Sequence, residues 1–278
     1  MADQSDVETA LAAAVTAALY PNGANQASGV AGAETSRIYR GWPASAALDA
    51  DLAAGIVNVT IYPSPAPPRE TTRYPPTWQV PTLITPTLTV AISGVSVTFG
   101  GQPASGQVAG VAVDGATYSY AVQATDTTAS VAASLAAPAR AAGRIVQLSG
   151  ATLGLPGAGH ILARVVQSQS AIRETRRQRQ EFKVICWCPT PMLRDQVAGA
   201  IDSALSGLYF LTLADGTGGR LTLGGGATSD QAETARMYRR DLVYLVDYPT
   251  TEASILPSML FGTGTLGSTA GAIAPLLG

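Results

Sequence analysis

A chain of 278 residues is long enough for one large domain or two modest ones, each with its own buried core. Only 13% of it is charged, about half the share usual in a soluble domain, so the polar surface is built from Ser, Thr, Gln and Gly. The net charge of −2 and pI near 5.4 count against a dedicated nucleic-acid binder, which carries a basic excess, but not against a surface that DNA merely passes. Low charge fits surface buried between subunits; the single lysine, Lys183, beside sixteen arginines also fits a genomic bias.

The first predicted element is a helix from about Ser5 to Leu19. Ser5 and Glu8 have capping-box spacing, and Val7, Leu11, Val15 and Leu19 recur every four residues. Asp3, Asp6 and Glu8 stand before its apolar run, where a secretory signal needs basic residues. Pro21-Asn22-Gly23 stops it. A short run at Arg37–Arg40 and a strand over Ile56–Tyr62 follow, the second alternating Val57, Val59 and Ile61. Residues 63–86 are rich in proline and read as a linker that cannot join a sheet interior.

From Leu88 to Leu155 the pattern is that of a small β-rich module. Strands at 88–92, 95–99 and 107–113 lead to Asp114-Gly115, a hairpin signal, and Tyr118–Val122 returns. Asp126 can cap a short helix through Val131 and Leu135 toward Pro138, with a last strand near Arg144–Leu148. Gly154, Pro156, Gly157 and Gly159 close the module. Both connections are turn-rich, the kind that tolerates insertion.

Residues 160–188 read as extended. One strand of that length would reach on the order of 100 Å, so a bend or hairpin is expected inside it. Near its end Phe182, Val184, Cys186 and Cys188 form an apolar face. The two cysteines share one strand face, have no third cysteine to pair with and only one histidine to share a metal, and so read as small buried side chains. Thr190 caps and Pro191 opens a second helix with the stripe Leu193, Val197, Ile201, Ala204 and Leu205, ended by Gly207. Strands at 208–213 and 220–223 flank Asp215–Gly219 as a hairpin, and Gly224-Gly225-Gly226 reads as a flexible loop. A long strand follows, with Tyr238, Leu242, Tyr244, Val246 and Tyr248 on one face. After Glu252 no charge remains. Pro257, Pro275 and many Gly, Ser and Thr rule out a membrane-spanning helix there, and the segment is expected to be an apolar arm lying on a neighbouring subunit.

The layout predicted is α+β: a mostly antiparallel sheet with two flanking helices over 1–78 and 160–251, an inserted small β-rich domain over 79–159, and an apolar C-terminal arm over 252–278. A search for chemistry returns little. His160 is the one histidine, and no Gly-x-Ser-x-Gly elbow accompanies it; Gly154–Gly159 lacks the Gly-Lys-Ser/Thr ending of a phosphate loop. Asp49 and Asp51 have no third carboxylate at calcium-loop spacing. No catalytic, cofactor-binding or metal-ligating residue is therefore expected. The dense charge cluster is Arg173, Glu174, Arg176, Arg177, Arg179, Glu181 and Lys183, with Arg239, Arg240, Asp241 and Asp247 in the last strand as possible partners. Neighbours in a strand face opposite ways, so Arg176 and Arg177 make no continuous basic stripe. Arg173, Arg176, Arg177, Arg179, Arg239 and Arg240 are candidate inter-subunit charges first and DNA-channel charges second.

Four segments carry a family resemblance: Ile38-Tyr39-Arg40-Gly41-Trp42-Pro43, Asp51–Val59, Arg179–Val184 with Trp187-Cys188-Pro189-Thr190-Pro191, and Met237–Tyr244. Their order and spacing resemble phage tail-terminator and tail-completion proteins, small α+β subunits that cap the tail tube as a hexameric ring. The module, with Asp114-Gly115-x-x-Tyr118-Ser119-Tyr120-Ala121-Val122 and Asp126-Thr127, resembles the small β-rich decorations of phage tail proteins; a bare terminator lacks it. The resemblance implies a non-enzymatic virion subunit of the neck, made in the bacterial host cytoplasm. Its partners would be its own copies in a ring, the tail tube protein, and a head-tail connector or stopper protein, with transient DNA in the lumen and no membrane. A carbohydrate- or cell-surface-binding tail module, suggested by the β-rich insertion, is the alternative.

Overall fold

The structure, a computed structural model, describes residues 1–232, 237–268 and 271–277, with side chains described for 1–230 and 237–262. In chain order come α1 (Gln4–Leu19), β1 (Ser36–Arg40), α2 (Ser45–Ala53), β2 (Val57–Pro63) and β3 (Arg69–Glu70). Then follow β4 (Leu88–Ser93), β5 (Ser96–Gly101), β6 (Gln107–Val113), β7 (Ala116–Ala121), α3 (Thr128–Ala141), β8 (Gln147–Ser149), β9 (Thr152–Gly154) and β10 (Ile161–Gln167). The rest are β11 (Gln169–Cys188), α4 (Pro191–Ser206), β12 (Phe210–Thr212), β13 (Gly218–Ala232), β14 (Met237–Leu256), β15 (Thr263–Ser268) and β16 (Gly271–Leu277). The fold class is α+β with antiparallel sheets. The chain divides into two compact units: unit 1 is Met1–Gln79 with Ile172–Ala253, and unit 2 is Val80–Ala171 with Ser254–Gly278.

Unit 1 is built on one sheet in the order β1-β2-β11-β14-β13-β12, with β3 added along β11. β1 runs parallel to β2, whereas β2–β11, β13–β14 and β12–β13 are antiparallel. Helix α1 starts where Asp3 accepts the Ser5 and Asp6 N–H groups while Asp6 returns a bond to the Asp3 N–H, a capping box two residues ahead of the Ser5–Glu8 spacing. Its Val7, Leu11, Val15 and Leu19 are fully buried. Thr190 caps α4 by accepting the Leu193 N–H, and Pro191 occupies the first turn, where its missing donor costs nothing. The buried apolar stripe of α4 is Leu193, Val197, Ala198, Ile201 and Leu205; Ala204, expected in it, is exposed. Both helices cover the same sheet face, over Val57, Val59, Ile61, Phe182, Val184, Cys186, Cys188, Leu242, Tyr244, Val246 and Tyr248.

The other face carries a helix absent from the expected pair. Leu48 and Leu52 of α2 pack on Ile185 and Trp187. Two leucines in nine alanine-rich residues, with no side-chain cap, leave little periodic signal to read. A polar clamp holds α2 in place: the buried Asp51 pairs with the exposed Arg37 at 3.0 Å and accepts from the buried Asn58 Nδ2 at 3.2 Å. Gly224-Gly225-Gly226 is not a loop but part of β13, with a register shift between Leu223 and Gly225. Gly225 has φ +152, and a Cβ on Gly224 would press on Leu245 at 3.3 Å, so this bulge needs glycine.

Unit 2 contains the sheets β10-β6-β7 and β4-β5-β9-β8 and the hairpin β15-β16, with α3 over a core that includes Leu88, Val97, Phe99, Val111, Leu135 and Leu153. β10 belongs here because its residues pair with β6 from Ile161↔Val113 to Gln167↔Gln107. The boundary expected at residue 160 therefore lies at 172, and the expected break in the long extended run falls at Ser168. Thr127, not Asp126, caps α3, which runs through Pro138 to Ala141; the proline sits in the last turn. Asp114, at φ 49 in the hairpin turn, accepts the N–H groups of His160 and Gly159 at 2.8 and 3.0 Å and pairs with Arg144 at 2.9 Å. Those bonds, His160's first, hold its carboxyl below the usual carboxylate range.

The segment 252–278, expected as an arm on a neighbour, instead folds back from Ser254 onwards. It clusters with unit 2, where Leu260 and Phe261 lie so close over Gly110 that a Cβ there would come within 2.2 Å of Leu260 Cδ2. β15 and β16 pair with each other as an antiparallel hairpin. What the side chains of Leu266, Ile273, Leu276 and Leu277 touch lies outside the described residues.

Two predictions follow from these contacts. Val197→Asp places an unpaired carboxylate at a fully buried position, at a cost of at least several kcal/mol against a whole-domain stability of about 5 to 15. Loss of the cooperative melting transition is expected; wild-type melting would mean the helix face is misassigned. In addition, Gln79 and Ile172 exchange both backbone hydrogen bonds at 2.8 Å, an arrangement that keeps Cα atoms about 5.5 Å apart. A two-residue Asn-Gly turn in place of 80–171, with the chain ended at Ala253, should therefore leave unit 1 melting cooperatively. A molten, aggregating product would show that unit 1 cannot stand without unit 2.

Candidate functional site

The arginines of β11 and β14 lie on neighbouring strands of the unit 1 sheet. Arg173 reaches Glu252 at 2.8 Å and stacks over the Trp78 ring at 4.7 Å. Arg177 grips Glu174 with two bonds of 3.0 and 2.8 Å and lies 3.7 Å from Asp247. Arg179 meets the same Asp247 at 3.4 Å. Arg239 makes a two-pronged pair with Asp241, both bonds 2.6 Å. The bonds to Glu174 and Asp241 raise the pKa of Arg177 and Arg239 above the ordinary arginine value.

Arg176 and Arg240 are placed differently. Arg176 donates to the Thr250 hydroxyl at 3.3 Å. Arg240 lines a cavity of about 360 Å³ with Asp202, Leu223 and Gly225–Thr228. Among the described residues neither has a carboxylate at ion-pair distance. Four of the six candidate arginines are thus balanced by acids of their own unit, and the cluster is a local ion-pair network, not a basic stripe. These pairs are half-buried, and each contributes on the order of 1 kcal/mol.

Three segments distant in sequence converge on an aromatic cluster beside α2. Gly41, at φ +94 with its N–H on the Ile61 carbonyl, turns the chain so that Trp42 folds back over β2. Trp42 meets Tyr62 and Trp187 edge-on at 5.3 and 5.6 Å, yet stays 62% exposed. The Arg239 guanidinium lies 4.7 Å from the Trp187 ring centre and 5.6 Å from that of Trp42. Trp187 donates its ring N–H to Thr60 Oγ1 at 3.1 Å. Sequence spacing does not tie these residues together; the usable signal is that Trp187 and Arg239 sit out of phase with the apolar stripes of their strands.

A second exposed aromatic pair stands at β12, the far end of the strand order. Tyr209 is 81% and Phe210 61% exposed, beside an open cavity of about 460 Å³ shared with Arg220, Leu221 and Thr222. The hairpin reading of this segment gave no hint of it.

Burial pushes the Cys186 thiol well above its ordinary range and that of Cys188 up to about 12, so both stay protonated. Among the described residues no three His, Cys, Asp or Glu side chains are grouped to hold a metal, and no helix is long and apolar enough to cross a membrane. His160 is exposed, and its backbone N–H serves Asp114.

Asp247→Asn tests the balance of charge. It leaves Arg177 with Glu174 but takes the carboxylate from Arg179, so elution from heparin should shift to higher salt while stability falls by less than about 1 kcal/mol. Unchanged elution would mean that Asp247 does not neutralise this face. No protein-family model matches the chain, and no curated protein matches it in sequence.

Proposed function

We propose that the protein is a structural subunit of a long-tailed phage virion. Its copies form a ring, hexameric on the family resemblance, that caps the tail tube and joins it to the head connector or stopper while DNA passes through the lumen. The subunit is made in the host cytoplasm and acts in the neck.

The observation that carries the ring is the unfinished sheet of unit 1. β1 and β12 end the strand order with outer sides that no described strand covers, and each end carries an exposed aromatic group. Both edges are short, five residues in β1 and three in β12. A subunit can cover them with its neighbour. The resemblance supplies the place in the virion. The paired arginines fit a wall that DNA slides past: Arg176 and Arg240 leave weak attraction only. The alternative of a carbohydrate-binding module in unit 2 gains nothing, since Trp42, Trp78 and Trp187 all belong to unit 1 and unit 2 has no indole on which a sugar could stack.

Light scattering and imaging of the purified protein should give closed six-fold rings. Added to polymerising tube protein, those rings should stop elongation. A protein that stays monomeric at imaging concentrations and leaves tube growth unaffected is not a tail cap.

A further inference from the structure

We propose that Asn22 is a site of spontaneous covalent modification in the folded protein. Its side-chain amide is displaced by the Gly23 backbone nitrogen, leaving aspartate and isoaspartate at the tip of the loop behind α1. The inference is independent of the ring reading.

The loop itself sets up the reacting pair. Tyr20-Pro21-Asn22-Gly23 is a tight turn, closed by the Gly23 N–H on the Tyr20 carbonyl at 3.0 Å. Gly23 sits at φ +111, a conformation that L side chains rarely adopt, so the turn itself calls for glycine after Asn22. Both residues are exposed, and a Cβ built on Gly23 would meet nothing nearer than Gln26 Cγ at 4.0 Å. No side chain therefore shields the Gly23 nitrogen from the Asn22 amide or from solvent. Attack requires the bond to the Tyr20 carbonyl to open, a local event at an exposed loop tip.

The chemistry needs only water. The Gly23 nitrogen gives its proton to solvent and bonds to Asn22 Cγ. The Cγ–Nδ2 bond breaks, and Nδ2 takes up a proton and leaves as ammonia. The cyclic imide that results holds the Gly23 nitrogen between Cγ and the main-chain carbonyl carbon of residue 22. Water then opens it on either side. Breaking the bond to Cγ restores the chain with an aspartate; breaking the bond to the main-chain carbon leaves the chain running through Cγ, an isoaspartate. Either product carries a carboxylate where the amide stood, so the formal net charge becomes one unit more negative than −2.

Other places in the chain are held against this reaction. Asn25 is followed by Gln26, whose side chain crowds the attacking nitrogen. Asn58 is buried in β2 with its Nδ2 on Asp51 at 3.2 Å. Asp114-Gly115 and Asp215-Gly216 could close the same ring, but Arg144 and the Gly159 and His160 N–H groups hold Asp114, and Thr217 and Thr251 hold Asp215. The change at Asn22 also stays local. The Leu19 carbonyl accepts the Gly29 N–H at 2.8 Å and the Ser28 hydroxyl at 3.1 Å, so the loop is tied at its base and the buried Leu19 and Val30 keep their places.

The full chain, kept folded for weeks in warm, mildly alkaline buffer, should accumulate a more acidic species on ion exchange. Fragmentation of the Met1–Arg37 peptide should place the new carboxylate at residue 22, isoaspartate exceeding aspartate, with melting unchanged. Asn22→Gln should abolish the acidic species, whereas Asn25→Gln should leave it. An acidic species that persists in Asn22→Gln, or that maps to Asn25, overturns the assignment. So does a chain that reacts at Asn22 only when unfolded in urea, since the Tyr20–Gly23 turn would then protect the site.

Discussion

Along Phe182–Cys188 the two-residue period of a strand serves two cores at once. Phe182, Val184, Cys186 and Cys188 enter the core under α1 and α4, while Ile185 and Trp187 enter the one under α2. β2 and β14 close its two sides. A strand covered on both faces and both sides tolerates no slip, since a one-residue shift would drive the Trp187 indole into space sized for a cysteine. The difference in side-chain size follows from what lies opposite. Two full helices crowd one face, whereas α2 brings only Leu48 and Leu52 to the other, leaving room for the indole and for the Trp42, Tyr62 and Arg239 groups gathered around it.

Earlier along the same strand the problem is electrostatic. Arg173, Arg177 and Arg179 lie near one another in a sheet, and their mutual repulsion is relieved by Glu252, Glu174 and Asp247. Each half-buried pair adds modest stability, on the order of 1 kcal/mol. Their larger effect is on the field outside the protein: charge cancelled within a few ångströms steers nothing from a distance. The face therefore behaves as a polar wall and not as an attractor of phosphate.

Helices α1 and α4 and the buried stripe of β14 could be read from sequence because their apolar residues keep a strict period over several turns. Helix α2 could not, having two leucines and no side-chain cap. The assignment of β10 also escaped, because strandness is local but its partner β6 lies some fifty residues earlier, and pairing decides to which unit a strand belongs. The arginine cluster was visible as composition. That Asp247 sits between Arg177 and Arg179 depends on strand register, which no spacing encodes. The meeting of Trp42, Trp187 and Arg239 needs three separate segments to fold first.

The apposition of Gln79 and Ile172 bears on the order in which the chain folds. β2 must find β11 across more than a hundred residues, and an open loop of that size is entropically costly to close. About ninety of those residues belong to unit 2, whose sheets and helix can assemble on their own stretch of chain. Once they do, the ends of unit 1 are brought together and the remaining loop is short. The saving in closure entropy is about 1 kcal/mol. Unit 2 is then a covalent splint that shortens the search for the central strand pair, and contact order, long for unit 1 read along the sequence, becomes short along the folded path.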